Sequence, residues 1–431
     1  MSIPIAPGVF DILPGEAKEL WRSTHLWIYL ESIIRKIAAE YAFQEIRTPL
    51  FERVELFKRG VGESSDIVSK EMYEFEDKGG RAMSLRPEGT APVMRAFIEN
   101  RLDQAAPLQK LFYIGPMFRY ERSQAGRYRQ HHQFGAEVIG SSAAEQDAEC
   151  IDLLYTLYNR LGLSHLSVQI NSIGDTASRS AFRSALVDYF RRYAGSLSED
   201  SKTRLEQNPL RILDSKDPED KKIAQGAPNI FDFLNEECRA HFQAVQTLLK
   251  QLKIPFEVNP LLVRGLDYYN QTVFEVTAGE LGAQNSLAGG GRYDGLLKTL
   301  SGPDLPAIGF GTGLERIIQT MLKQQVPLPK PFAPEIFLIA MGEEAKLACF
   351  SLLHQLRSCG IPSQMDFSQR KLGKVMQYAH QIGAAHVIVM GENELKTETV
   401  EVKRMDTGEK SAYPLAELAL RLQQQLQLVK L

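Results

Sequence analysis

Between Glu16 and Tyr41 the apolar residues Trp27, Leu30, Ile34, Ile37 and Tyr41 recur in steps of 3, 4, 3 and 4. Such a stripe predicts one helix over Glu16–Tyr41 with a single buried face. Ile46-Arg-Thr-Pro49 follows as a short extended piece, because the residue before a proline is pushed toward β. Strand-like runs are predicted at Met72–Glu76, Met83–Arg86 and Leu108–Glu121, with helices at Thr90–Asn100 and Ala144–Leu161. The regular strand–helix rhythm of a doubly wound parallel sheet is missing, so an antiparallel sheet flanked by helices is expected. Residues 175–252 differ in character. Phe182–Tyr193 and Ile230–Leu252 look helical, while Ser198–Lys202 and Ser215–Lys222 are rich in charge. The stretch reads as a helical insertion, after which the sheet pattern resumes at Pro255–Val263 and Thr272–Thr277.

Val326-Pro-Leu-Pro-Lys-Pro331 carries three prolines in six residues and reads as a stiff linker. Beyond it the pattern changes. Ile336–Met341 predicts a strand, Glu343–Cys359 a helix with Ala345, Ala348, Leu352 and Leu356 on its inner face, then a second strand, Lys371–Ile382 another helix and His386–Met390 a third strand. The expected organisation is an α+β domain over residues 1–325, a linker over 326–333 and a smaller α/β domain over 334–431.

The chemistry concentrates in Leu111–Gly140. A period of two places Phe112, Ile114, Pro116, Phe118 and Tyr120 on one strand face and Arg119 and Glu121 on the other. On the next strand Phe134, Ala136 and Val138 share the apolar face, opposite His131, Gln133, Gly135 and Glu137. Paired as a hairpin, the strands bury one face and present Arg119, Glu121, Gln133 and Glu137 together, with Gly135 leaving room for a ligand. Between them Ser123-Gln-Ala-Gly-Arg-Tyr-Arg129 is a polar, arginine-bearing loop suited to phosphates or RNA. A solvated hairpin with surface arginines fits the same periodicity.

Four further clusters stand out. In Arg86-Pro-Glu-Gly-Thr90, Glu88 and Thr90 sit at a strand-to-helix junction, where they suit a helix cap as well as a site. Arg264-Gly-Leu-Asp-Tyr-Tyr-Asn270 fits either a polar pocket wall or a tyrosine-rich edge strand. Ala288-Gly-Gly-Gly-Arg-Tyr-Asp294 permits close backbone approach, or a simple turn. Gly309-Phe-Gly-Thr-Gly-Leu-Glu-Arg316 runs from a strand into a helix. It lacks the Gly-Lys-Ser/Thr ending of a P-loop. Arg316 in the first turns opposes the helix dipole, which suggests an anionic ligand. The sequence shows neither His/Cys metal spacing nor a Gly-x-Ser-x-Gly elbow, and the adjacent His131-His132 pair reads as structural. Arginines converging from several segments on glycine-lined pockets point to polyphosphate chemistry without a P-loop.

Composition narrows the partners. Of 431 residues 44% are apolar and 24% charged, which excludes a disordered tail, a collagen-like fibre or a coiled coil. A net charge of −3 excludes a strongly basic nucleic-acid coat protein, so any RNA contact must be local. The C-terminal domain balances 11 basic against 11 acidic residues, yet Arg370, Lys371 and Lys374 cluster at a helix start. That cluster suits RNA contact and an ordinary solvated turn equally. Four scattered cysteines read as reduced thiols. No apolar run is long enough to span a bilayer, and the first fifteen residues lack a basic n-region, so a cytoplasmic protein is expected.

Taken in order, the motifs resemble the class II aminoacyl-tRNA synthetase family. Phe118-Arg-Tyr-Glu-Arg122 with its loop resembles motif 2, Gly309–Arg316 resembles motif 3, and the region around Arg47-Thr-Pro49 resembles motif 1, the dimer-interface motif. Leu262–Asn270 and Gly289-Gly-Gly-Arg-Tyr-Asp-Gly295 are similar to the two histidine-specific signatures of the histidyl-tRNA synthetases. The resemblance implies a histidine–tRNA ligase: ATP activates histidine to histidyl-adenylate, and histidine then passes to the 3′ end of tRNA(His). By the same resemblance Arg119 and Arg264 are catalytic, meeting the α-phosphate from two sides, and Arg119 also meets the substrate carboxylate. Arg127 and Arg316 hold the γ-phosphate, and Glu121 belongs to the ATP site. Glu88, Thr90 and Gln133 take the amino group of histidine, Glu137 and Tyr269 its imidazole, and Gly89 and Tyr268 complete the histidine site. Arg122, Gln124, Arg370, Lys371 and Lys374 become candidates for contact with tRNA, and the C-terminal domain an anticodon-binding one. Mg²⁺ is expected with ATP, with no metal site built from a protein motif. A homodimer is expected, to which the Glu16–Tyr41 helix would add an apolar face. The regulatory subunit of ATP phosphoribosyltransferase, a histidine-binding paralogue without ligase activity, and an RNA-binding or sensor pseudo-synthetase are the alternatives. Intact histidine signatures, the C-terminal domain and all four ATP arginines speak against them.

Overall fold

The computed structural model describes residues 3–63, 65–121, 127–279, 286–368 and 370–425. The chain divides into two compact units, Met1–Pro329 and Lys330–Leu431.

The first unit is built on an eight-stranded sheet. Its order across the sheet is Gln44–Glu45, Gln109–Phe118, Gln130–Ile139, Ala307–Gly313, Ser286–Arg292, Asn270–Ala278, Leu166–Ser172 and Phe256–Val258. The six inner strands run antiparallel, and each edge strand joins in parallel. The predicted alternation sets the register: Phe112 faces Ala136 and Ile114 faces Phe134. Phe112, Phe134, Ala136, Val138, Phe274 and Phe310 all enter one core. Four helices cover that face: Thr24–Glu40, Ala144–Arg160, Glu236–Gln251 and Leu314–Lys323. Glu236–Gln251 thus belongs to the sheet packing although it lies in the insertion range, because Phe242, Val245 and Leu249 point into the main core.

The opposite face is covered only in part. Helix Thr90–Glu99 lays Val93, Met94 and Phe97 against Leu111, Tyr113 and Met117. A small sheet of Phe51–Arg53, Ala82–Leu85 and Tyr73–Glu76 forms beside it. The insertion has its own core around Phe182, Leu186, Phe190, Leu210 and Ile212. Its charge-rich stretches are short capped helices, Glu199–Gln207 and Pro218–Ala224. Asp220 ties them together: its carboxylate accepts from the hydroxyls of Ser198, Ser201 and Ser215. Those bonds favour the ionised form and hold its pKa down to about 2.

Two sequence expectations need correction. The first helix begins at Thr24, after a 3₁₀ turn at Leu20–Arg22. Upstream, the N–H of Leu13 bonds the carbonyl of Arg22, and the N–H of Ala17 bonds the Ser23 hydroxyl, which competes with helix. Its apolar face is also consumed internally, since Trp27, Leu30, Ile34 and Ile37 are buried in the main core. That helix therefore offers no broad apolar surface to a second subunit.

A buried ion network locks the sheet to two helices. Arg292, fully buried, pairs with Asp147 at 2.6 Å and Asp294 at 3.1 Å and donates to the carbonyls of Ser141 and Ala143. His241 approaches Asp147 at 2.8 Å from the other side. Arg292→Ala strands these acceptors in the interior, and such breaks cost about 3–5 kcal/mol. The expected result is a lower urea midpoint for the first unit than for wild type; an unchanged midpoint would contradict it.

In the second unit the strand order is Ser363–Met365, Ile336–Ala340, His386–Met390, Thr399–Arg404 and Lys410–Pro414. The first three are parallel, and the last two, absent from the sequence reading, add antiparallel. Helices Glu343–Ser358 and Leu418–Gln425 cover one face, and Leu372–Gln381 covers the other. Among the described residues no helix is long and apolar enough to cross a membrane, and the four cysteines are free.

Candidate functional site

The partly covered face of the large sheet holds a cavity of about 730 Å³. Arg119, Arg127, Arg264 and Arg316 border it, and they come from three separate segments, since Arg119 and Arg127 stand at the two ends of one hairpin loop. Glu88, Thr90, Glu121, Gln133, Tyr268 and Tyr269 border it too, and the insertion supplies the outer wall with Arg204, Arg211 and Lys216.

The hairpin explains half of this placement. Gln109–Phe118 ends earlier than predicted because the N–H of Tyr120 bonds the carbonyl of Glu71 instead of continuing the ladder. Arg119 stands at the end of the ladder, its N–H still bonding the carbonyl of Arg129 at 2.9 Å; its Nε donates to the carbonyl of Pro87 at 2.8 Å, which keeps the guanidinium beside Glu88. Arg127 pairs with Glu121 at 3.2 Å. Next to it the Tyr128 ring is clamped by Phe10 at 4.9 Å and Trp21 at 5.2 Å, so the descending side of the loop has a fixed root. Arg122 and Gln124 lie outside the described residues.

Arg264 is held by Glu275 at 2.9 Å. Arg316 stands in the first turn of Leu314–Lys323 and donates to the carbonyl of Ser286 at 2.6 Å. Burial, and then the charge of Arg127, lower its pKa from the ordinary arginine value, as expected where cations crowd one anion-sized space.

The other half of the cavity is acidic and aromatic. The Glu88 carboxylate accepts from the N–H groups of Thr90 at 2.7 Å and Ala91 at 2.9 Å, so it does serve the helix start. Thr90 does not cap; its hydroxyl donates to Glu137 at 2.8 Å. Glu137 is fully buried beneath the cavity floor, and its second oxygen accepts from the Tyr293 hydroxyl. Burial pushes both carboxyls above the ordinary range, Glu137 well above it with the charge of Glu88 adding to the effect. Burial likewise raises Tyr269 to about 12, and Tyr113 and Tyr268 well above the usual phenol value. These hydroxyls remain protonated donors at neutral pH.

The glycines do something other than expected. A Cβ on Gly135 would run into the Tyr113 ring, as would one on Gly89. One on Gly289 would strike the Arg264 guanidinium, and one on Gly309 would strike Glu137 and Tyr293. Thus Gly135 and Gly289 make room for the site's own side chains rather than for a ligand against the backbone. Nor does Tyr269 bond Glu137; Tyr293 does, with Tyr268 and Tyr269 packed on its ring at 5.3 and 6.1 Å. Tyr113 and Tyr293 were missed. Tyr113 shares the parity of Arg119, and Tyr293 lies inside the glycine signature, so both were findable.

Of the two histidines, His132 contacts Glu315 at 2.9 Å and the Trp27 ring at 4.9 Å, a packing role. His131 borders the cavity, and burial followed by the charge of Arg119 keeps its pKa well below the ordinary value. In the second unit Arg370 is engaged, with Asp366 at 2.8 Å and over the Tyr378 ring at 4.7 Å. Lys371 and Lys374 are exposed at the start of Leu372–Gln381. Among the described residues no three or more His, Cys, Asp or Glu are grouped to hold a metal ion.

Chemically the cavity is polarised. One end gathers guanidinium groups suited to a polyphosphate and a carboxylate. The other offers carboxyl and phenol groups suited to an amine and a ring N–H.

Comparison with known proteins fits this arrangement. The family described as "Histidyl-tRNA synthetase" matches residues 8–317, and one described as "Anticodon binding domain" matches residues 335–425. The histidine–tRNA ligase of Protochlamydia amoebophila is 66% identical over 419 residues, covering 97% of this chain and 99% of that relative. That of Geobacillus sp. (strain WCH70) is 46% identical over 430 residues, covering 99% and 100%. The crystal structure of apo histidyl-tRNA synthetase from S. aureus superposes with a TM-score of 0.83 at 38% identity, covering 98% of this chain and 100% of that one. With a match across most of its length and both halves of a polarised cavity in place, the chain belongs to the histidyl-tRNA synthetase family.

Proposed function

We propose that this protein is a histidine–tRNA ligase. The observation that carries the reading is the meeting of four arginines from three separate segments over one cavity whose far end holds Glu88 and Thr90, with Glu137 buried behind Thr90. ATP lies along the arginines, with Arg127 and Arg316 on the γ-phosphate, Glu121 beside Arg127, and Mg²⁺ arriving with the nucleotide. Histidine lies at the acidic end. Glu88, Thr90 and Gln133 take its ammonium, with Gly89 leaving space for Tyr113. Glu137, held in place by Thr90 and Tyr293, takes the imidazole N–H, and Tyr268 and Tyr269 wall it. The carboxylate oxygen of histidine attacks the α-phosphorus, the bond to the β-phosphate oxygen breaks, and pyrophosphate leaves. Arg119 and Arg264 hold the charge that develops on the α-phosphate. The 3′-terminal hydroxyl of tRNA(His) then attacks the acyl carbon and AMP departs.

ATP–pyrophosphate exchange with each standard amino acid tests the reading. Exchange with histidine alone is expected; exchange with none would favour a regulatory, ATP phosphoribosyltransferase-type role. The same reading includes a homodimer and a cytoplasmic location. Sedimentation at micromolar concentration checks the former, and a fully active monomer would contradict it.

The Lys330–Leu431 unit is assigned to the anticodon end of tRNA, with Lys371 and Lys374 touching phosphates. A chain ending near Lys330 is expected to keep pyrophosphate exchange but to charge tRNA poorly. Its oligomeric state should be measured in parallel. Full charging by the truncated protein would remove that assignment.

A further inference from the structure

The helical insertion grips the tyrosine signature segment of the active site through the Arg179 side chain. Arg179 lies in the first turn of helix Thr176–Arg191. An arginine there opposes the helix dipole, so its placement needs another reason. Its guanidinium forks onto two carbonyls of the signature segment, that of Tyr269 at 2.7 Å and that of Asp267 at 3.0 Å. A second tie from the insertion falls on the same segment: Asn208 donates to the Asp267 carboxylate at 2.7 Å.

The gripped segment needs holding. Two residues beyond Tyr269, Gln271 has a φ of +47°, a left-handed conformation that L residues with side chains rarely adopt. There the chain turns out of the tyrosine segment, and the N–H of Gln271 bonds the carbonyl of Gly174, just ahead of the Arg179 helix. Tyr268 and Tyr269 pack on Tyr293, which bonds Glu137. A continuous path of contacts therefore runs from the insertion to the buried acid.

We propose that Arg179 is a positioning residue for the amino-acid half of the cavity, and that through it the insertion sets the placement of Tyr268 and Tyr269. The inference rests on the reading of that half as the histidine site. Arg264 is anchored separately by Glu275, so the nucleotide half depends much less on Arg179.

Arg179→Lys keeps the charge and loses the planar fork. In pyrophosphate exchange it should raise the KM for histidine by about tenfold, while the KM for ATP moves less than about threefold. Arg179→Ala should shift the histidine KM further, and millimolar methylguanidinium should restore part of it, whereas a protein that is merely destabilised would gain nothing from that ion. In the free enzyme, amide exchange should quicken in peptides spanning 265–271 and stay unchanged across the Arg119 and Arg316 segments. Equal rises in both KM values, or unchanged values for Arg179→Lys with wild-type protection at 265–271, would overturn the proposal. Should wild type fail to exchange with histidine, the functional reading falls and the amide-exchange result alone decides for or against Arg179.

Discussion

Arg264→Ala is expected to lower the rate of adenylate formation by about 10²–10³ at saturating ATP and histidine, the usual cost of removing one preorganised donor from a developing oxyanion. The guanidinium is placed before any ligand arrives. Glu275 holds one nitrogen at 2.9 Å, and Nε is buried without a hydrogen-bond partner. It lies flat over Gly289, the one residue type that leaves that space empty. A companion variant separates charge from placement. Gly289→Ala leaves Arg264 in the protein but puts a methyl group where the guanidinium rests. It should reduce kcat in the same direction while the KM for histidine changes little. Single-turnover formation of labelled adenylate measures both. A near wild-type rate for Arg264→Ala would remove it from the chemical step. A wild-type rate for Gly289→Ala would show that the guanidinium reaches the α-phosphate from another position.

The sequence made the strand pair legible because a period of two acts at every residue. Burial of Phe134, Ala136 and Val138 on one side forces Gln133 and Glu137 to the other. It also located Arg119, Arg127, Arg264 and Arg316, four of the six arginines that border the cavity, but not Arg204 and Arg211, whose charge-rich surroundings carry no motif. What it could not supply was which side chain fills which gap. Gly135 and Gly289 announce a close approach, but only the fold shows that Tyr113 and Arg264 are what approaches. The same limit hid the Glu137–Tyr293 bond, because the two residues sit 156 positions apart and meet only through the sheet order. The short helices Glu199–Gln207 and Pro218–Ala224 were unreadable for a different reason. Their stability comes from capping by Ser198 and Asp217 and from the Asp220 hydroxyl cluster rather than from an apolar stripe.

Replacing Glu137 with Gln should move ligand binding and folding in opposite directions. Gln keeps the shape and one carbonyl oxygen, so one of Thr90 and Tyr293 keeps its acceptor while the other hydroxyl, able to accept, turns to take a hydrogen bond from the amide NH2; Ala would leave both hydroxyls unpaired in the interior. What Gln removes is the negative charge. In the free protein that charge is a burden, since burial lifts the carboxyl well above its ordinary range. The sign follows from linkage. A group whose folded pKa is raised lends stability below its unfolded value, near about 4.3 for Glu, and loses it as pH rises through the folded value. Glu137→Gln has no such loss, so its melting temperature should gain on wild type between pH 6 and pH 9. For histidine the charge is an asset, because it pairs with the imidazole N–H and with any positive charge the ring carries. Losing a charge-assisted bond should raise the KM for histidine by about 10²-fold. ATP lies at the arginine end, so its KM should change by less than about threefold. Pyrophosphate exchange with each substrate varied in turn, together with thermal melts at the two pH values, reads all three quantities. Equal penalties on histidine and ATP, or a melting temperature that falls further behind wild type as pH rises, would show that Glu137 supports the fold instead of reading the substrate.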